Sequence, residues 1–181
     1  LDFCSLFTRR GDGGLNFLES GQINFAGLEA TGYDFAANYS FDVGVNEFGV
    51  ALVGSYQEQL DRFFNPLDPT DFNPDIEQIQ LPELSGNLTL SWARGPLSTS
   101  FQTTYQSRQF AADIDDFEEL GEAGFFDEVF IFDANASYGI SDVWSVYGGV
   151  NNIADEEPFS TQTAWPVGPR GRFFFFGVNY R

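Results

Sequence analysis

The side chains best suited to chemistry in this chain are carboxylates, arginines and aromatic rings, concentrated in three long polar stretches. The run Asp113, Asp115, Asp116, Glu118, Glu119 and Glu122 offers the oxygen-rich environment that Ca2+ favours, but without EF-hand spacing or its central glycine. A solvated loop accounts for it, and the same reading applies to Asp68, Asp71 and Asp75, set among prolines. Arg62 and Arg108 are cations that would meet an anionic ligand such as a ferric chelate, or pair with nearby carboxylates; pairing is the reading we favour. Phe63, Phe64, Phe72, Phe125, Phe126 and Trp165 would stack on sugars or aromatic chelators, or pack loop against loop, and the sequence leaves both open. The chain contains no His, which removes the usual neutral-pH base, His-based triads and the commonest zinc ligand. No catalytic residue, metal site or cofactor is assigned, and an enzyme is not expected.

Composition narrows the partners further. Net charge is −19 over 181 residues and all eight basic residues are Arg. Nucleic acid requires a basic surface to displace counterions, so that class is excluded. No run reaches the roughly 18 apolar residues of a membrane helix, but barrel strands are apolar on one side only and carry a weaker signal. Cys4 is the single cysteine. An odd cysteine in an exported protein implies a partner elsewhere, and we expect one in upstream sequence. The chain starts at Leu1 without a leader and reads as a cut point inside a longer protein.

The elements that would position these groups are alternating strands, expected at 28–41, 48–60, 83–93, 97–110, 128–140, 143–153 and 173–180. In the first, Tyr33, Phe35, Ala37, Tyr39 and Phe41 face one way, and Asp34, Ala36, Asn38 and Ser40 the other. In the second, Phe48, Val50, Leu52 and Tyr56 oppose Ser55, Gln57 and Gln59. In the fourth, Leu97, Phe101 and Tyr105 oppose a row ending in Gln106 and Arg108. The last presents Phe174, Phe176, Val178 and Tyr180 on one face.

Short turns at 42–47, 94–96 and 141–142 alternate with long loops at 61–79, 111–127 and 154–170. That alternation is the signature of an up-and-down membrane barrel, with periplasmic turns short and extracellular loops long. Tyr39, Phe41, Trp92, Tyr138 and Trp144 gather beside the short turns, as in an interfacial aromatic girdle. A soluble carbohydrate-binding β-sandwich also predicts alternation, but would make its inner rows apolar. Leu15 to Leu18 and 22–25 are expected to extend strands above the membrane, and a strand drawn from 14–25 would close a small eight-stranded structural or adhesion barrel.

Gly149-Val150-Asn151-Asn152, the acidic turn Asp155-Glu156-Glu157, Gly171-Arg172 and the closing aromatic strand ending at Tyr180 follow one another in a fixed order. Upstream, Thr31-Gly32-Tyr33-Asp34 opens the first long strand. In this order and spacing the chain resembles the C-terminal part of a TonB-dependent receptor, the outer-membrane uptake barrel of Gram-negative bacteria. The resemblance implies an all-β fold: an antiparallel up-and-down transmembrane β-barrel segment of about seven or eight strands, residues 1–181 forming the C-terminal third of a presumed 22-strand barrel. The plug domain and TonB-contacting box would lie upstream. Expected partners are outer-membrane lipid, the TonB complex through that missing part, the barrel-assembly machinery through the last strand, and a scarce nutrient (ferric siderophore, haem, cobalamin or oligosaccharide). Cysteine pairs in that family often close an extracellular loop near the position of Cys4. Family members usually end on an aromatic residue, whereas Arg181 follows Tyr180 here. With both sheet edges open inside lipid, residues 1–181 are not expected to fold alone.

Overall fold

The computed structural model describes residues 6–18, 27–64, 68, 70–112, 116–161 and 165–180. Cys4, the stretch 22–25, Asp113, Asp115 and Arg181 lie outside them. The strands are β1 (Phe7–Arg9), β2 (Leu15–Leu18), β3 (Gly27–Val43), β4 (Asn46–Phe63), β5 (Phe72–Pro74), β6 (Leu84–Arg94) and β7 (Leu97–Gln106). There follow β8 (Gln109–Phe110), a helical turn α1 (Phe117–Leu120), β9 (Phe125–Phe126), β10 (Val129–Gly139), β11 (Trp144–Asn151) and β12 (Phe173–Tyr180). The main sheet runs β12-β11-β10-β7-β6-β4-β3, every neighbour antiparallel, with β5 added to β4. Among the described residues it is not closed, and β3 and β12 are its two edges.

The pairing register converts the alternation of each strand into two continuous faces. Tyr39 lies opposite Val50, and the row continues through Leu90, Phe101, Ala134, Val150 and Phe174. The next row along, Ser40, Gly49, Ser91, Ser100, Asn135 and Gly149, belongs to the other face. Polar side chains there bond across strands: Asn87 Oδ1 accepts from Gln102 Nε2 at 3.1 Å and Thr104 Oγ1 at 2.7 Å, and Asn135 Nδ2 donates to Ser100 Oγ at 2.9 Å. Such pairs contribute roughly 0.2–1 kcal/mol each and fix the register.

Among the described residues nothing covers the apolar face. Among the described residues the buried hydrophobic side chains are Phe110, Val129 and Val167, none of them in the centre of the sheet. Tyr39 is 67% exposed, Phe174 71% and Phe176 92%. A soluble sandwich is built around an apolar layer between two sheets; this sheet has its apolar layer on the outside, a patch far beyond what soluble monomers expose. The rings at the short-turn end form a band: Phe41 stacks on Phe48 at 5.1 Å, and Trp144 packs on Tyr180 at 4.8 Å. Trp92, opposite Phe48, donates its indole N–H to Asn46 Oδ1 at 3.1 Å. An amphipathic ring with its polar edge anchored suits a membrane–water boundary.

Three sequence expectations are corrected. The fourth strand stops at Gln106 rather than at 110, because Ser107 caps β6 (Leu84 N donates to Ser107 Oγ at 3.0 Å) and the chain folds back as β8. The loop expected from 61 contains strand: β4 runs on to Phe63 and β5 pairs with it. Gln59 leaves the polar row because the register shifts at Thr31/Gly32, where Gly32 meets Gln57 and Thr31 meets Gln59. A bulge of this kind sends the residues beyond it to the opposite faces. Leu15–Leu18 pairs with Phe7–Arg9 in a hairpin separate from the main sheet, and 22–25 lie outside the described residues.

Candidate functional site

The bulge and the loop feet account for the motif residues. A Cβ on Gly32 would lie 2.5 Å from the Tyr56 carbonyl oxygen, so only glycine lets the strands approach closely enough for the shift. Thr31 contributes its carbonyl, which accepts from Gln57 Nε2 at 2.9 Å, while Asp34 sits in the polar row opposite Ser55. At the end of β11, buried Asn152 adopts φ 53° and closes a ring with Glu156: its Nδ2 donates to the Glu156 carbonyl and its Oδ1 accepts from the Glu156 N–H, both at 2.8 Å. The Asn152 N–H donates to Asp133 Oδ1 at 2.7 Å on β10. Asp155 Oδ1 then accepts from the Arg172 N–H at 2.7 Å, and Gly171, at φ 61°, passes against the same oxygen. These contacts tie both feet of the β11–β12 loop together. Asn151 pairs with Phe173, and Tyr180 packs on Trp144.

The candidate ligand-facing residues meet one another at the long-loop end of the sheet. Arg62 Nη2 lies 2.6 Å from Asp75 Oδ2; the arginine side chain is 47% exposed and the aspartate 2%. Arg108 bridges Glu77 at 3.2 Å and Glu122 at 3.0 Å, with its guanidinium 4.0 Å above the Phe125 ring. The hydrogen bond to Glu77 is the largest cause raising its pKa above the ordinary arginine value. Phe125 packs edge-on against Phe110 at 5.1 Å, and Phe126 stacks flat on Phe159 at 4.4 Å. Trp165 donates its indole N–H to Gln109 Oε1 at 2.9 Å. Phe63 tilts against Phe72 at 5.7 Å, and Phe64 is 45% exposed.

Gln109 is the hub, and the sequence offered no sign of it within a stretch that reads as strand. Its side chain is fully buried; Oε1 also accepts from the Gln80 N–H at 2.7 Å, and Nε2 donates to Gln106 Oε1 at 3.1 Å. The backbone joins in, the Phe110 N–H donating to the Glu77 carbonyl at 2.5 Å. Gln80 and Glu77 take positive φ, 74° and 63°, to present these groups. Three loops far apart in sequence are thereby knitted into one cap of charged, amide and aromatic contacts.

A second feature was also missed. A cavity of about 550 Å³ opens on the polar face at the same end, lined by Ile131, Asp133, Asn151, Phe173 and the segment Pro166 to Gly171, which includes Arg170. The signal available for it was an arginine between proline and glycine immediately before the Gly171-Arg172 pair.

Comparison with known proteins gives a consistent picture. A family model described as TonB dependent receptor-like, beta-barrel matches residues 5–153. Among solved structures, the chain is similar to the ferric-catecholate import receptor Fiu of E. coli K12 in its closed form. That likeness has a TM-score of 0.57 and 15% identity, covering 96% of this chain and 23% of that one. It is also similar to the copper transporter OprC, with a TM-score of 0.54 and 14% identity over 97% of this chain and 26% of the other. At these identities the likeness is one of fold, and the chain spans about a quarter of each structure. A search of curated proteins finds no match.

Proposed function

Since the chain belongs to the TonB-dependent receptor β-barrel family, we propose that it is the C-terminal portion of an outer-membrane receptor that takes up a scarce nutrient, energised through TonB. The observation that carries this reading is the family match over 5–153 on a single-layer sheet whose apolar face has no cover among the described residues. Lipid is the cover that such a face requires, and β3 and β12 need further strands beside them, since an open edge in hydrocarbon leaves backbone groups unsatisfied. The polar face then looks into the lumen, and the knitted loops form part of the extracellular cap. No bond is made or broken in this function. The plug and TonB-contacting box belong to upstream sequence, and β12 is the strand offered to the barrel-assembly machinery.

The ligand classes in view are a ferric siderophore, haem, cobalamin or an oligosaccharide. The test deletes the whole gene in its native host and measures uptake of each class under starvation, with and without a working TonB. Loss of uptake of one class, reproduced by loss of TonB, is the expected result. Unchanged uptake of all four, or uptake that persists without TonB, rejects the reading.

A further inference from the structure

We propose that the cavity under the β11–β12 loop is a lumenal binding site for an aromatic or similarly flat molecule carrying an anionic oxygen group, with Arg170 as its anion receptor. The inference rests on the receptor reading, which makes the polar face the lumen. The two arginines that the sequence offers as ligand contacts are occupied: Arg62 is paired with Asp75, and Arg108 with Glu77 and Glu122, whereas Arg170 is the arginine that lines a cavity on the polar face. Arg170 is exposed and in no ion pair among the described residues; its guanidinium carbon lies 5.8 Å from the centre of the Phe173 ring. An unpaired guanidinium presents a planar fork of donors matched to carboxylate, phenolate or phosphate.

The walls supply the rest. Phe173 is 43% exposed on the cavity side, and Pro166, Val167 and Pro169 complete an apolar slot. Among the described residues the carboxylate lining the cavity is Asp133, which accepts the Asn152 N–H, and Asn151 adds a neutral amide. At about 550 Å³ the space suits a compact organic molecule. Its position is fixed: the Asn152–Glu156 ring and the Asp155–Arg172 bond tie down the loop that carries Arg170. Below it, Phe175 and Tyr147 continue an aromatic strip on the same face, with ring centres 6.5 Å apart, where the neighbouring strands present serine and asparagine.

The experiment uses the full-length receptor in detergent and titrates two probes of equal shape, salicylate and uncharged salicylamide, by saturation-transfer NMR. Wild type is expected to bind salicylate about tenfold more tightly or better, the contribution of one charge-assisted hydrogen bond. Arg170→Gln is expected to abolish that preference, Arg170→Lys to retain part of it, and Phe173→Leu to weaken both probes. Equal binding of the probes to wild type, an unchanged preference in Arg170→Gln, or no saturable binding of either in the low-millimolar range overturns the site. Nutrient uptake by the same receptor in cells separates the two readings. Uptake with no Arg170-dependent preference rejects this site alone; the preference without uptake rejects the transport reading alone.

Discussion

Replacing Arg62 by Met tests whether the cap is held by its ion pairs. Asp75 has a side chain 2% exposed, and its Oδ2 lies 2.6 Å from Arg62 Nη2. Its Oδ1 accepts no hydrogen bond from the described residues. Removing the guanidinium therefore leaves a buried carboxylate without its counter-ion. Breaking a fully buried pair in this way costs about 3–5 kcal/mol, whereas an exposed pair contributes about 0–1 kcal/mol. Arg62 is 47% exposed, so water screens part of the interaction and a loss of about 2–3 kcal/mol is expected. The loss is local, since among the described residues β5 pairs with the sheet through β4 alone, and global melting of a large barrel would not register it. Amide hydrogen exchange on the full-length receptor does: at 1.4 kcal/mol per factor of ten, residues 72–75 should exchange roughly 30- to 150-fold faster. Asp75→Asn alone should cost less, because a neutral amide is cheaper to bury than an unpaired charge. The double variant should then restore exchange most of the way toward wild type. If Arg62→Met leaves residues 72–75 within about threefold of wild type, the pair does not hold β5 in place and the reasoning fails.

Four further outcomes are expected. Phe176→Arg on the 92% exposed apolar row should cost about 2–4 kcal/mol in barrel refolding into bilayers, while Ser100→Arg on the polar face stays under about 1; equal costs would contradict the assignment of faces. Gln109→Leu strands the Gln80 and Trp165 N–H donors and should cost about 2–4 kcal/mol locally, against about 1 for Trp165→Phe, read as exchange of the amides at 77–81. Arg108→Gln removes two exposed ion pairs and a cation–π contact, so proteolysis within 107–128 should quicken only several-fold, for a loss of about 1 kcal/mol. Gly32→Val places a side chain against the Tyr56 carbonyl, and the yield of heat-modifiable, folded receptor should drop relative to Gly11→Val, whose site is open.

What the sequence determined by itself is what period and length encode. Side chains on a strand alternate whatever the strand is paired with, so the apolar row from Tyr33 to Phe41 and the row from Phe174 to Tyr180 are legible locally. The alternation of short turns with long loops is equally local, and together these specify an open-faced, barrel-type sheet. The aromatic band at the short turns follows from the same positions. Even the family motif could be placed, although not the reason for it.

Tertiary structure decided everything that depends on which loops meet. Arg108 finds Glu77 and Glu122, and Trp165 finds Gln109, only because three loops rise from one end of the sheet; no periodicity brings such residues together. The bulge at Gly32 also lay beyond the pattern, since one extra residue in β4 sends Gln59 to the opposite face without altering the composition of the strand. Arg170 illustrates the difference most plainly. In the sequence it is one arginine of eight, set apart only by its place between Pro169 and Gly171. Folded, Arg62 has a carboxylate 2.6 Å away and Arg170 faces a cavity, because the availability of a charge is set by the groups around it in space.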